Sequence, residues 1–139
     1  MSRRTKNLVF IVDDDPDDRE SIRDAFVANN HDHDYVFMEN GNLLLEFLSV
    51  QPASDHPAII LLDLNMPGKD GKEILKEIKE HSTLRKIPIV IITTSSSEKD
   101  RDVAYELGAN CFVTKPDSFR DLLQVTDSIA RLWCTRPAA

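Results

Sequence analysis

Four short runs of the chain are continuously apolar: Leu8–Val12, 58–62, 87–92 and 111–113, with a weaker fifth at 35–38. Apolar runs this short that do not alternate are expected of strands covered on both faces. Between them lie segments with one-sided apolar stripes. Ile22, Ala25 and Phe26 share a face after Pro16, and Leu44, Phe47 and Leu48 share one before Pro52. Ile74, Leu75 and Ile78 share one after Gly71, and Val103, Ala104 and Leu107 share one that stops at Gly108. Glycine is a natural C-terminal stop for a helix. The longest stripe is Leu122, Val125, Ile129, Leu132 and Trp133. Ser97 with Asp100, and Ser118 with Asp121, have capping-box spacing at the last two helix starts. Strand then helix, five times over, predicts an α/β fold: a doubly wound, five-stranded parallel sheet with helices on both faces. The segments 29–34 and 49–57 read as loops and 135–139 as a frayed tail.

The length of 139 residues suits one domain, with a core of about 6–133 in a unit taken as 1–139. Seventeen Lys+Arg against twenty-four Asp+Glu give a net charge of −7, which disfavours a nonspecific nucleic-acid binder. Cys111 and Cys134 lack CxxC spacing, so a zinc ribbon or thioredoxin-type motif is excluded. Two cysteines at this size fit a reducing cytoplasm better than a disulfide scaffold. The basic start is followed by five apolar residues that end in three aspartates, too short for a signal-peptide core. No apolar run approaches a membrane span.

In an open parallel sheet, ligands bind outside the carboxyl ends of the strands. The first strand ends in Asp13, Asp14 and Asp15, the third in Asp63, the fourth in Thr93, Thr94 and Ser95, and the fifth in Thr114, Lys115 and Pro116. Separated segments thus bring carboxylates, a hydroxyl and an ammonium to one crevice. Ionised carboxylates roughly 5 Å apart repel by about 3 kcal/mol per pair at an effective dielectric near 20. Such a cluster raises a pKa or recruits a cation, and an all-oxygen set suits a hard ion, Mg²⁺ first. Mg²⁺ keeps open positions for a phosphoryl oxygen, and a carboxylate can act as nucleophile toward phosphorus. The residues therefore suggest Mg²⁺-dependent phosphoryl transfer onto an aspartate.

Four segments together resemble the receiver domain of two-component response regulators: 10–16 (FIVDDDP), 61–71 (LLDLNMPGKDG), 87–93 (IPIVIIT) and 108–116 (GANCFVTKP). The spacing fits as well, 30 residues from Asp63 to Thr93 and 22 from Thr93 to Lys115. The finer pattern is similar to single-domain regulators that partner bacterial phytochromes. The resemblance implies a flavodoxin-like sheet of order 2-1-3-4-5. It implies Asp63 as phosphoacceptor, and Mg²⁺ held by Asp13, Asp14, Asp63 and the Asn65 backbone carbonyl. It further implies Lys115 on the phosphoryl group, Thr93 as the reporting hydroxyl, Phe112 as the switch aromatic, and a cis bond from Lys115 to Pro116. The implied partners are a histidine kinase and a downstream protein, with homodimerisation through the fourth helix, fifth strand and fifth helix as one route out for the signal. Neither nucleic acid nor membrane is an implied partner.

Two departures stand out. Phe112 has no hydroxyl, so a hydrogen-bonded inward state is closed to it. Thr94 is β-branched where small residues are common, which bears on the dephosphorylation rate. Asp15 has no assigned role. Each group also has a plainer reading: Asp13, Asp14 and Asp15 as acids favouring a helix N-terminus, Asp63 as a loop acid, Lys115 as a surface lysine, Thr93 as a helix cap. Each leaves the others coincidental. The His31-Asp32-His33-Asp34 tract reads as a solvated loop, Cys111 as a packed thiol, and the end of the last stripe near Trp133 as an interface. The competing function is an aspartate-nucleophile phosphatase of the haloacid dehalogenase type using Asp13 and Asp15. It leaves Asp63 unemployed and lacks the later acidic pair. A phosphate-independent adaptor would have lost an acid or the lysine.

Overall fold

The computed structural model describes residues 7–31, 33–66, 68 and 70–134. The start at 1–6, Asp32 of the histidine tract, Pro67 and Lys69 of the third-strand motif, and the expected tail at 135–139 lie outside the described residues. Ten main elements alternate: β1 (Leu8–Val12), α1 (Pro16–Ala28), β2 (Asp34–Met38), α2 (Gly41–Val50), β3 (Ile59–Leu62), α3 (Gly71–Glu80), β4 (Ile89–Thr93), α4 (Glu98–Glu106), β5 (Cys111–Thr114) and α5 (Phe119–Trp133). The strands form one parallel sheet in the order β2-β1-β3-β4-β5. The expected fold class and strand order are both present.

The sheet buries alternate residues on opposite faces, because successive side chains of a strand point opposite ways. Phe10, Val12, Ile60, Leu62, Ile89 and Ile91 pack with α2, α3 and Ala104 of α4. Val9, Ile11, Ile59, Leu61, Val90 and Ile92 pack with α1 and α5. The central strands β1, β3 and β4 are wholly buried, which explains their unbroken apolar runs.

β5 differs from the expectation of a strand covered on both faces. Among the described residues it pairs only with β4 and is half-buried; Cys111 is half-buried with it, whereas Cys134 is enclosed. Burial pushes the Cys134 thiol up to about 11. The 49–57 loop is shorter than expected, since α2 runs to Val50 and Ala53–Asp55 forms a 3₁₀ turn. The histidine tract is not simply solvated. His31 Nε2 lies 2.9 Å from Asp127 Oδ1 on α5, and the His31 and His33 rings stack at 6.0 Å. Nearby, Asn29 Nδ2 donates to Leu123 O and Thr126 Oγ1, tying the end of α1 to α5.

Local chemistry sets each helix start. Asp15, Asn40, Asp70, Ser97 and Ser118 all accept backbone N–H bonds as N-caps of their helices. In the Ser97 box, the Asp100 carboxylate turns away from the cap to Lys72 (2.7 Å) and Ser95 (2.6 Å). Those contacts hold its pKa below the ordinary carboxylate value.

Candidate functional site

The site lies at the carboxyl edge of the sheet, where β1, β3, β4 and β5 end side by side. Asp13 directly follows β1, and its backbone N–H donates to Met38 O on β2. Asp63 follows β3, with its N–H donating to Val12 O. These two ladder bonds place the two carboxylates on adjacent strands, pointing into one crevice. Both are buried, at 1% and 3% exposure, while Asp14 is exposed at the rim. One carboxylate oxygen from each of Asp13, Asp14 and Asp63 lies within 4.8 Å of the others.

Lys115 enters from the end of β5. Its backbone N–H donates to Thr93 O at 2.6 Å, which fixes the turn out of the strand. No cis peptide occurs among the described residues, so the bond from Lys115 to Pro116 is trans, contrary to the implied cis form. The lysine reaches inward all the same, because its long side chain spans the crevice. Its Nζ sits 2.6 Å from Asp18 Oδ2, 2.7 Å from Asp13 Oδ2 and 3.3 Å from Asp63 Oδ2. The contact with Asp13 Oδ2 is a buried ion pair. The other Asp13 oxygen accepts from the Asp15 N–H at 2.9 Å.

The electrostatics follow from this crowding. Burial pushes the Asp13 carboxyl up to about 6; the neighbouring Asp63 adds to the rise, and Lys115 and the Asp15 amide oppose it. For Lys115, burial works against the charge, but the hydrogen bonds and fields of the carboxylates outweigh it and hold the ammonium well above its ordinary value. The Lys115 ammonium meets Asp13, Asp18 and Asp63, the Arg19 guanidinium donates to the Asp13 carbonyl, and Asp14 adds a fourth carboxylate, so acids outnumber cations at the crevice. A hard divalent cation fits that excess and the all-oxygen set offered by Asp13, Asp14 and Asp63.

The Thr93 hydroxyl is buried and accepts from Asn65 Nδ2 (3.2 Å) and, at 3.4 Å, from the Ser95 N–H. Asn65 also donates its backbone N–H to Asp63 Oδ1 and lies 3.5 Å from the Thr94 hydroxyl. Phe112 is half-buried at the margin of the α2–α4 core, and its N–H donates to the Tyr105 hydroxyl. Asp15 now has a role: its carboxylate caps α1 by accepting from the N–H groups of Asp17 and Asp18. It is therefore not aimed into the crevice as the phosphatase reading needs.

Two contributors escaped the sequence reading. Asp18 touches Lys115, and the signal that could have found it is an acid in the first turn of a helix that starts at a strand's carboxyl end. Gly71 lets α3 approach β3. A Cβ there would stand 2.5 Å from Asp63 O and 2.6 Å from Leu64 Cα. A glycine opening a helix beside the site was the available cue.

Comparisons with known proteins agree with this geometry. Response regulator Rcp1 of Synechocystis sp. is 36% identical over 138 residues, covering 95% of this chain and 94% of that protein. The crystal structure of the phosphorylated cyanobacterial phytochrome response regulator RcpA superposes with a TM-score of 0.85 at 34% identity, covering 96% of this chain and 100% of that one. The Mn²⁺-bound form of Rcp1 superposes with a TM-score of 0.82 at 35% identity, covering 95% and 99%. Residues 9–127 match the response regulator receiver domain, and the chain belongs to that family.

Proposed function

We propose that this chain is a signalling switch in a phosphorelay, accepting a phosphoryl group from a histidine kinase onto Asp63 with Mg²⁺ as cofactor. The observation that carries this reading is the meeting of Asp13, Asp14 and Asp63 within 4.8 Å, beside the Lys115 ammonium. A carboxylate oxygen of Asp63 attacks phosphorus; the O–P bond forms as the N–P bond of phosphohistidine breaks. The imidazole leaves with the electron pair and takes a proton from water. Asp13, Asp14, Asp63 and the Asn65 carbonyl would hold Mg²⁺, which supplies positive charge to a phosphoryl oxygen. Lys115 neutralises a second phosphoryl oxygen.

Thr93 reports the change. Its hydroxyl turns from Asn65 to the phosphoryl group, and the vacated space admits Phe112. The α4–β5–α5 surface then alters its affinity for a downstream protein, with homodimerisation through that face as one outlet. Of α4, only Ala104 is buried among the described residues, so little packing resists its displacement. Thr94, exposed at the rim, slows water's approach to the phosphoryl group. The names of the similar proteins support a bacterial phytochrome as the kinase. No helix among the described residues is long and apolar enough to cross a membrane, in keeping with a cytoplasmic place of work.

The test is intact-mass analysis after incubation with Mg²⁺ and acetyl phosphate. The wild type gains one phosphoryl group, and Asp63→Asn gains none. Labelling that persists in the Asn variant moves the acceptor to the acids after β1.

A further inference from the structure

Lys115 is shared among three carboxylates, and they are not equivalent. Asp13 and Asp63 have side chains only 1% and 5% exposed, whereas the Asp18 side chain is 37% exposed. The outermost of the three makes the shortest contact, 2.6 Å, and Asp63 makes the longest, 3.3 Å. Asp18 is held in place by the cap of its own helix, through its N–H on Asp15 Oδ1. Beside the pair opens a cavity of about 220 Å³, lined among others by Ile22, Ile92, Ser118 and Phe119, so the lysine has open space on this flank.

The cost of leaving each partner differs. Stripping the ammonium from Asp13 would strand a buried carboxylate, which is expensive, whereas Asp18 can be rehydrated where it stands. An ammonium moving toward a group on Asp63 therefore gives up Asp18 first. From this we propose that Asp18 is a positioning residue that holds Lys115 back from the Asp63 phosphoryl position, setting how tightly that position takes an anionic group. The proposal rests on the reading of Asp63 as phosphoacceptor. Binding at Asp63 is weakened by the fraction of molecules in which Lys115 is retained by Asp18, as for any site whose competent state is partly populated.

The test is calorimetric titration with beryllium fluoride, a phosphoryl mimic, at saturating Mg²⁺. Asp18→Asn should bind roughly fivefold more tightly than the wild type. Asp17→Asn removes the same charge from the same turn, but Asp17 is not among the three acids on Lys115, and its affinity should stay within about twofold. Asp18→Ala carries the same expectation should Asp18→Asn fold poorly. A merely structural role predicts weaker binding, not tighter. Unchanged or weaker binding in the Asp18 variants overturns the proposal, and so does equal tightening in Asp17→Asn, which would make the effect one of overall charge. If the wild type neither binds the mimic nor takes phosphate from acetyl phosphate, the Asp63 reading falls and this inference with it. If the wild type binds and Asp18→Asn matches it, only the role of Asp18 falls.

Discussion

Asp13 is 1% exposed and faces a second buried carboxylate across a single ammonium. Its pKa, raised from 3.8 to about 6, makes it a source of pH-dependent stability. Between those two values the folded chain binds a proton that the unfolded chain has released. Stability from this group therefore falls as pH rises from about 4 to 6, and the full penalty, about 2–3 kcal/mol, persists above. Lys115, shifted upward, contributes stability that is intact below its unfolded value of 10.5 and lost only above it, so it does not act in this window. A cation on Asp13 offsets the penalty and competes with the proton. Saturating Mg²⁺ should then raise the thermal midpoint by about 3–8 °C at pH 7.5 and by much less at pH 5. Thermal melts with and without Mg²⁺ at the two pH values measure this, and equal shifts at both would remove Asp13 from the ligand set.

At the scale of elements, the start of α3 is pressed against the end of β3. The Gly71 N–H donates to Leu64 O at 3.1 Å, and the missing Cβ is what permits the approach. Gly71→Ala would drive a methyl into the backbone of Asp63 and Leu64, which cannot rotate away. A loss of about 1–3 kcal/mol is expected in urea denaturation, together with weaker Mg²⁺ binding, because Asp63 and Asn65 move with that backbone. Gly41→Ala is the contrast. Its methyl would meet the Ile74 side chain and not backbone, so stability falls while Mg²⁺ affinity holds. Equal loss of Mg²⁺ affinity in both variants would show that general destabilisation is responsible. Helix starts of this kind were readable where a side chain caps, as at Ser97 and Ser118, since caps are local. The Gly71 contact was not, because it depends on how closely two elements pack.

Across the whole molecule, what the sequence made legible follows from burial and strand ends. Strands enclosed on both faces leave unbroken apolar runs, and parallel order forces the residues after each strand onto one edge. The meeting of Asp13, Asp63, Thr93 and Lys115 at one edge therefore follows from the sequence alone. Contacts between elements far apart in the chain leave no such trace: Asp18 on Lys115, His31 on Asp127, and Asn29 on the buried Thr126. The half-burial of β5 was hidden for a related reason, since the sheet order decides which strand lies at the edge. That asymmetry has a consequence for how the molecule responds. β1, β3 and β4 are sealed between two cores, while β5 is an edge strand and α4 buries only Ala104 among the described residues. Local opening is cheapest where few apolar groups are buried. Hydrogen exchange should be slowest for amides of β1, β3 and β4 and faster in α4 and β5. Adding beryllium fluoride with Mg²⁺ should change exchange over 93–115, where Thr93, α4, β5 and Lys115 follow one another, and leave α2 and β2 as they were. Changes concentrated in α2 and β2 would mean that the signal leaves by the opposite edge of the sheet.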